Sequence, residues 1–338
     1  MKGPADVLTD QDLMSVQSAC ERFTKAVTIF VHAAGTDSPF ESNLLNIARQ
    51  VSGVSRERIR IEETGEPVFP GKPSLTLSDG ETRNIHYLAA PDGREFGPFL
   101  DTLSLLGSAS TDLGSAVGSS LKLLTQPVHM LVLMADACPH CPGVVRSALS
   151  LAVGRPQITT TVVDALWFKD MAEKYKVKST PTIIVNEGLT LVGQISTQDL
   201  AQKLVEAASG SLTPILGSMI DSGRAEEAAE LLCRSNDPQT ILPLYLSEEF
   251  SVRMGALVVM QDALQIDPGI FDPILDRLTD LLFADEAGLR GDTADLLGKI
   301  GNPSAIPALQ KAAQDPDPDV REAAREALEI LAELRKSC

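Results

Sequence analysis

The stretch VHMLVLMADACPHCPGVVRSALSLAV, residues 128–153, decides the fold of this chain. Its apolar beginning, Val128 to Met134, is typical of a buried strand, and its end, Val144 to Val153, repeats apolar residues at helical spacing. Between them lie two cysteines in the tetrapeptide Cys138-Pro139-His140-Cys141. The sequence therefore predicts a strand that leads into a dithiol at the start of a helix.

The position of the dithiol indicates its chemistry. The first turn of a helix presents free N–H groups and the positive end of the helix dipole, which favour a thiolate over a thiol. We therefore predict that Cys138 is a nucleophile that attacks a disulfide of another protein. Pro139 suits the first helical turn because it lacks an N–H, and the two-residue spacing lets Cys141 resolve the mixed disulfide. His140, when protonated, would further favour the thiolate, but it does not decide the direction of electron flow.

Two other interpretations of the cysteine pair are less well supported. A zinc site needs about four ligands, but the sequence has no second C-x-x-C pair, and the other histidines lie far away within or beside predicted strands. An inert buried dithiol disagrees with the exposed start of a helix. We therefore predict no metal site, and we interpret the remaining cysteines as structural or incidental: Cys20, Cys233 and Cys338.

The predicted order of elements occurs twice. The upstream segment reads as strand, helix, strand, hairpin and helix, at 26–32, 43–51, 58–62, 74–77 with 84–88, and 95–106. The dithiol segment repeats this order, at 128–134, 144–153, 158–163, 182–185 with 189–193, and 197–208, and adds a helix at 169–175. Between the two segments, Gly107 to Ser120 has the small polar composition of a linker, although Thr111-Asp112 could cap a short helix.

The region beyond Ser209 has no strand signals, and its short helices alternate with Asp-Pro, Asn-Pro and Gly breaks. LRGDTADLLGKIG (289–301) and VREAAREALEILA (320–332) align at a spacing of 31 residues, and SVRMGALVVMQDAL (251–264) is a looser third copy. These helix pairs resemble HEAT repeats, whose stacked faces bind proteins. We expect the region to dock a partner or to mediate self-association, and a purely structural role is the alternative.

Composition and charge exclude several classes of partner. The 338 residues are enough for two or three domains, and 46 acidic against 29 basic residues give a net charge of −17. Such a charge repels phosphate backbones and anionic lipid, so we predict neither nucleic acid nor membrane as a partner. No segment approaches the roughly 20 apolar residues of a membrane span, and the acidic start lacks the pattern of a leader, which favours a cytoplasmic protein.

Several stretches resemble a known family. CPHCPGVVRSALSLAV (138–153) with PQITTTVVDALWF (156–168), and GKPSLTL (71–77) with GREF (93–96), resemble the tandem thioredoxin folds in the N-terminal domain of the alkyl hydroperoxide reductase flavoprotein subunit and in glutaredoxin-like protein disulfide oxidoreductases. The match covers roughly residues 20–208. It implies an α/β pair of thioredoxin folds, of which the first is degenerate and the second carries the active dithiol.

The resemblance sets expectations for the two proline positions. Thr180-Pro181, at the entrance to a strand, could be cis by its position alone, and it matches the cis-proline of the thioredoxin fold. It would then hold the backbone of an extended substrate beside the dithiol. The first fold has Lys72-Pro73 at this position but no cysteines at the position of the dithiol. The stretch from Thr111 is expected to be helical, against its linker composition.

The proton acceptor is also an expectation of the resemblance. Thioredoxins carry a buried acid six residues before the first cysteine, and the corresponding residue here is Val132, so another base is needed. Glu95 matches a glutamate that lies near the dithiol in the flavoprotein's domain. It could accept the proton of Cys141, or it could be a solvated residue in the first turn of a helix, where acids are favoured anyway.

These features together predict a thiol–disulfide oxidoreductase that acts on protein disulfides, with peroxiredoxin-like proteins as clients by resemblance. No G-x-G-x-x-G follows a strand, so we expect no bound flavin or nicotinamide, and a separate flavoprotein reductase would supply electrons. The alternative is a redox-switched adaptor whose repeats carry the main function. The predicted domains are an N-terminal helix (1–22), a thioredoxin-like fold without a dithiol (23–110), one with the dithiol (111–209) and the HEAT-like domain (210–338).

Overall fold

The computed structural model describes residues 7–36, 38–66, 68–108 and 113–337, and it divides into two units between Ser211 and Leu212. The helices of the first unit are α1 (Asp10–Cys20), α2 (Pro39–Val54), α3 (Phe96–Ser108), α4 (Ser115–Leu121), α5 (Cys141–Gly154), α6 (Lys169–Lys174) and α7 (Thr197–Ala208). Its strands are β1 (Val27–His32), β2 (Ile59–Thr64), β3 (Ser74–Ser78), β4 (Ile85–Leu88), β5 (Val128–Met134), β6 (Ile158–Asp164), β7 (Thr182–Val185) and β8 (Leu189–Val192).

The eight strands form one continuous sheet in the order β2-β1-β3-β4-β6-β5-β7-β8. In the first fold (Val27–Ser108), β1 is parallel to β2 and antiparallel to β3, and β3 and β4 form the predicted hairpin. In the second fold (Val128–Ala208), β5, β6, β7 and β8 repeat these pairings. β4 joins the two folds because it pairs in parallel with β6. The predicted tandem α/β architecture is confirmed.

The two faces of the sheet are covered differently. Tyr87 of β4 packs edge-to-face on Phe99 of α3, with ring centroids 5.5 Å apart, and α3 in turn packs on α5. His86, the preceding residue, points to the opposite face because side chains alternate along a strand. On that face the second fold has α6 between β6 and β7. The first fold has no helix in the described residues between β2 and β3.

The linker interpretation of residues 107–120 is wrong wherever this segment is described. α3 continues through Ser108, and α4 begins at Ser115. Val117 and Leu121 are buried, and α4 packs on α7. One helical turn separates these two apolar residues, so burial of a single face outweighs the small polar composition around them. The candidate cap Thr111-Asp112 and the predicted boundary at 110/111 lie outside the described residues.

The second unit consists of helix pairs. Its helices are α8 (Thr213–Asp221), α9 (Ala225–Ser235), α10 (Leu242–Tyr245), α11 (Phe250–Ile266), α12 (Leu275–Leu281), α13 (Ala287–Ile300), α14 (Ile306–Ala312) and α15 (Pro318–Ser337). α9, α11, α13 and α15 pack in sequence, each against the next. The three predicted repeat copies fall on α11, α13 and α15.

Arginines at equivalent positions connect these repeats. Arg253 of α11 donates to Glu286 at 2.8 Å, and Glu286 directly precedes α13. Arg290 of α13 donates through Nε and Nη2 to the carboxylate of Asp315, at 2.9 Å each, in the turn before α15. Arg321 of α15 donates to the backbone carbonyls of its own turn. The alignment of Arg290 with Arg321 in sequence therefore reflects a repeated structural role.

Candidate redox site

The dithiol lies at the junction of β5 and α5. A turn after β5 is closed by the N–H of Cys138, which donates to the carbonyl of Ala135 at 2.9 Å. Cys141 is the first residue of α5, and its N–H donates to Sγ of Cys138 at 3.2 Å. Cys138 is partly exposed, whereas Cys141 is fully buried. The first thiol is therefore accessible to another protein, and the second lies behind it.

The two thiols have opposite pKa shifts. Burial raises the pKa of Cys138, but hydrogen bonds from the Cys141 thiol, the His140 N–H, the Thr180 side chain and the Cys141 N–H outweigh burial and leave this pKa below its ordinary value. Burial raises the pKa of Cys141 to about 12, and its hydrogen bond to Cys138 adds to the rise. Cys138 therefore favours the thiolate and Cys141 remains a protonated thiol, which is the order that the predicted roles require.

The tetrapeptide differs from expectation at Pro139. The helix begins at Cys141, so Pro139 precedes it, and the prediction that Pro139 lies in the first helical turn is wrong. Pro142 occupies that turn instead, where its missing N–H leaves no intrahelical bond unmade. His140 is exposed, and its Nδ1 accepts a hydrogen bond from the amide Nε2 of Gln194 at 2.6 Å.

The second proline position lies beside the dithiol. The Thr180-Pro181 bond is cis, and the carbonyl oxygen of Thr180 lies 3.5 Å from Sγ of Cys138. The structure therefore brings together the residues that sequence placed at this site. Among the described residues this is the single cis bond, so Lys72-Pro73 is trans. Lys72 is turned toward the second fold, where its Nζ pairs with Asp170 at 2.5 Å.

Glu95 lies in a single turn of 3-10 helix, Gly93–Glu95, which packs against α5. Only 2% of Glu95 is exposed, so the alternative of a solvated glutamate is wrong. Its Oε2 has no hydrogen-bond partner in the described part of the chain. Burial raises the pKa of Glu95 to about 7; Arg146 opposes this rise and Asp136 adds to it. A group with this pKa can exchange a proton near neutral pH, and its role toward Cys141 stays a prediction.

Sequence reasoning missed an acidic groove next to the dithiol. A groove of about 740 Å³ is lined by Asp92, Asp136 and Asp164, and by Trp167, which is 54% exposed. Burial raises the pKa values of Asp92 and Asp164, and the charge of Asp136 raises both further. These acids lie at or just after the ends of β4, β5 and β6, which are parallel. A count of acids at parallel strand ends would have found them.

Metal-binding clusters and membrane-spanning helices are both absent from the described ranges. Across these residues, no three His, Cys, Asp or Glu side chains are grouped so that they could hold a metal ion. No helix in the same ranges is long and apolar enough to cross a membrane.

Comparisons with known proteins agree with this geometry. The family model described as thioredoxin domain matches residues 128–206, and the model described as HEAT repeats matches residues 272–337. An alkyl hydroperoxide reductase of Pseudomonas aeruginosa, of the AhpF type, is 24% identical over 174 residues, which are 51% of this chain and 33% of that protein. The chain spans about a third of the length of the curated relatives that it matches in this way.

Solved structures share the fold of the first unit. A mutant of the alkylhydroperoxide reductase AhpF from Enterococcus faecalis aligns with a TM-score of 0.53 and 18% identity, over 59% of this chain and 99% of that one. A protein disulfide oxidoreductase from Aeropyrum pernix aligns with a TM-score of 0.52 and 20% identity, over 60% and 94% of the two chains. The chain therefore joins tandem thioredoxin folds, the second of which matches the thioredoxin domain family, to an α-helical region of HEAT repeats.

Proposed function

We propose that this protein is a thiol–disulfide oxidoreductase that exchanges electrons with disulfides of other proteins. One observation carries the proposal: the partly exposed Cys138 has a lowered pKa and accepts the N–H of Cys141, whose own buried thiol has a pKa of about 12. An accessible thiolate with a protonated thiol behind it is the arrangement that two-step disulfide exchange needs.

In the first step, the thiolate of Cys138 attacks one sulfur of the substrate disulfide. The substrate S–S bond breaks, one substrate thiolate leaves and takes up a proton, and a mixed disulfide with Cys138 forms. In the second step, Cys141 loses its proton and attacks Sγ of Cys138, which releases the second substrate thiol. The protein ends with a Cys138–Cys141 disulfide, and two electrons have passed to the substrate.

Two other groups assist these steps in this proposal. Glu95, with a pKa of about 7, accepts the proton that Cys141 loses, because its buried carboxylate packs beside the helix that Cys141 begins. Thr180 and Pro181 hold the substrate backbone, because the Thr180 carbonyl lies at the Cys138 sulfur. A substrate segment in extended form would then run past the exposed thiol.

Regeneration of the dithiol needs an external donor, and we assign this role to a separate flavoprotein reductase. The relatives named alkyl hydroperoxide reductase extend far beyond the matched region, and this sequence has no G-x-G-x-x-G after a strand. In this proposal the chain itself holds no flavin or nicotinamide, it works in the cytoplasm, and its clients include peroxiredoxin-like proteins.

A redox-switched adaptor is the second candidate, favoured by the charge of the repeats. Residues 211–338 contain 23 acidic and 11 basic residues, a net charge of −12. In that case the repeats would bind a partner with a basic or mixed-charge surface, and oxidation of the dithiol would change its affinity once per cycle. Such binding weakens as salt is added, because exposed charges are screened. Capture that does not depend on salt would count against it.

The test separates the two candidates by trapping. Cys141→Ser leaves Cys138 joined to its client as a mixed disulfide, which can be purified from native lysate and identified by mass spectrometry. We expect a peroxidase or another thiol enzyme, released by reductant. The matched control is the double variant Cys138→Ser with Cys141→Ser, which should retain none of these proteins. An empty trap, with proteins held noncovalently by the full chain, would favour the adaptor.

A further inference from the structure

A second cavity, of about 660 Å³, lies on the sheet face that carries α6. Its floor is formed by β4, β6, β5 and β7, and its walls are α6 and the loop that connects β2 to β3. Its lining includes Phe69, His86, Leu131, Thr161, Met171 and Tyr175. The cavity is separate from the redox site, because it takes residues from the beginning of β5 while Cys138 follows the end of that strand.

The cavity exists because the first fold leaves this sheet face uncovered. The second fold covers its half with α6, whereas the first fold contributes only the loop that contains Phe69. Lys72, in the same loop, fastens it to α6 through its ion pair with Asp170. Phe69 contacts the ring of His86 edge-on, with centroids 6.0 Å apart. The loop and the helix therefore form two walls over an otherwise open sheet.

A chain of hydrogen bonds fixes the orientation of protons on the cavity floor. The backbone carbonyl of Glu66 can only accept, so Nδ1 of His32 donates to it, at 2.8 Å. With both imidazoles neutral, Nε2 of His32 must then accept from the hydroxyl of Thr76, at 2.9 Å. The oxygen of Thr76 in turn accepts from Nδ1 of His86, at 2.9 Å. This pattern leaves Nε2 of His86 without a proton.

The free nitrogen of His86 faces a ligand-sized space. His86 is only 8% exposed, and its Nε2 has no hydrogen-bond partner among the described residues. Burial, together with His32 and His129, lowers the pKa of His86 to about 4, so its ring is neutral at physiological pH. A buried acceptor without a partner is unfavourable, and a ligand that donates a hydrogen bond would remove this cost.

We propose that this cavity binds an uncharged, mainly apolar small molecule that donates one hydrogen bond, from a hydroxyl or an N–H, to Nε2 of His86. Its volume lies within the range of small-molecule sites, about 300–1,000 Å³, and most of its lining is apolar or aromatic. The charged lining residues Lys174 and Glu187 pair with each other at 3.1 Å, so they offer no net charge to a ligand.

The experiment compares two probes of nearly equal shape. 1-Naphthol has a hydroxyl donor, and 1-methoxynaphthalene has no donor. Binding to the full chain is followed through ¹³C-labelled methionine methyl groups, because Met130 and Met171 line the cavity and Met254, in the second unit, serves as a reference. We expect both cavity signals to shift and 1-naphthol to bind about tenfold more tightly. Unshifted signals or equal affinities would overturn the proposal.

Two variants test the hydrogen bond itself. His86→Phe keeps an aromatic ring but removes the acceptor, so the tenfold preference should vanish while the ether still binds. Thr76→Val keeps the size of Thr76 and leaves His86 in place, but it no longer fixes the proton on Nδ1, so the preference should also fall. His140→Phe is the matched control outside the cavity, and it should keep the preference. An unchanged preference in both cavity variants would assign the binding to another place.

Discussion

The two thioredoxin folds use the same strand order but place different atoms at one position, the start of the first helix. In the second fold, the N–H of Cys141 donates to Sγ of Cys138 at 3.2 Å. In the first fold, the N–H of Glu41 donates to Oγ of Ser38 at 3.1 Å, with the same spacing of three residues. The fold therefore needs an acceptor at this place, and the element that accepts decides whether the site can do redox chemistry.

The loop before each helix is also satisfied differently. In the first fold, the carboxylate of Glu41 accepts the N–H groups of Ala34, Gly35 and Thr36, at 2.9–3.1 Å. This carboxylate occupies backbone donors that would otherwise be free near the helix start. The first fold therefore uses its loop for stability, whereas the second leaves a sulfur accessible. Similar strand pairing thus supports a structural site in one half and a reactive site in the other.

The largest expected effect comes from making the second fold resemble the first. Cys138→Ser keeps an acceptor for the N–H of Cys141, so α5 should keep its start, but it removes the thiolate. We expect turnover of a protein disulfide to fall by about three orders of magnitude or more. The assay is reduction of insulin with a chemical dithiol as donor. Ser38→Ala is the matched control in the first fold; if it reduced turnover as much, the two positions would not differ in function.

The next effect concerns Glu95, which the first fold contributes to the redox site. Its pKa is about 7 in the folded protein against 4.5 for an ordinary glutamate, so between these values the folded state binds more protons than the unfolded state. Stability therefore falls as pH rises from about 4.5 to 7. Glu95→Gln should remove this fall, on the order of 3 kcal/mol, from the free energy of unfolding.

The measurement is urea unfolding of both proteins at pH 5 and pH 8, followed by the fluorescence of Trp167, the single tryptophan of the chain. Glu62→Gln, at an exposed position on β2, is the control and should keep the pH dependence of the native protein. Equal pH dependence in the Glu95 variant and the native protein would mean that Glu95 is ionised normally.

A smaller effect is expected from Glu41, whose role we interpret as structural. Glu41→Ala should lower the free energy of unfolding by about 1–2 kcal/mol, because it removes the acceptor of several loop N–H groups. Hydrogen bonds, first of all from the Thr36 side chain, lower the pKa of Glu41, so this stabilisation is present above about pH 4.5 and lost as pH falls through the folded pKa. Insulin reduction at pH 7 should not change; a loss of turnover would contradict the structural role.

The smallest effect concerns the residue before each proline. Thr180→Val removes a side-chain hydrogen bond that lowers the pKa of Cys138. This pKa should therefore rise, and alkylation of Cys138 by iodoacetamide at pH 7 should slow about two- to threefold. The pH profile of the alkylation rate measures the shift. Lys72→Ala changes the equivalent residue of the first fold, and a shift of similar size there would remove the distinction between the two loops.

Much of this fold could be predicted because its signals are local. Apolar runs such as Val128 to Met134 give strands, helical spacing gives α5 and α7, and two cysteines at a strand-to-helix junction give the dithiol. The alignment of Arg290 with Arg321 indicates the repeats without knowledge of any contact. In these cases the residues that matter are close in sequence, so pattern and physical cause coincide.

What could not be predicted depends on residues that only the folded sheet brings together. The linker interpretation failed because Val117 and Leu121 gain their burial from a distant helix, α7. The burial of Glu95 arises from packing against α5, which its own segment does not reveal. The chain from His32 through Thr76 to His86 crosses three strands, and each residue alone reads as an ordinary strand position. Side-chain networks across strands need the register, which sequence alone does not supply.

The joint between β4 and β6 has a consequence for how the chain is made. β4 ends at Leu88, but its partner β6 begins only at Ile158, 70 residues later. On the ribosome, the first fold is therefore synthesised with an open strand edge that must wait for the second. Unpaired edges attract other chains, so this interval is when the nascent protein is most exposed to aggregation. Codon changes that slow translation between these two strands should lower the yield of the folded protein more than equal changes after β8.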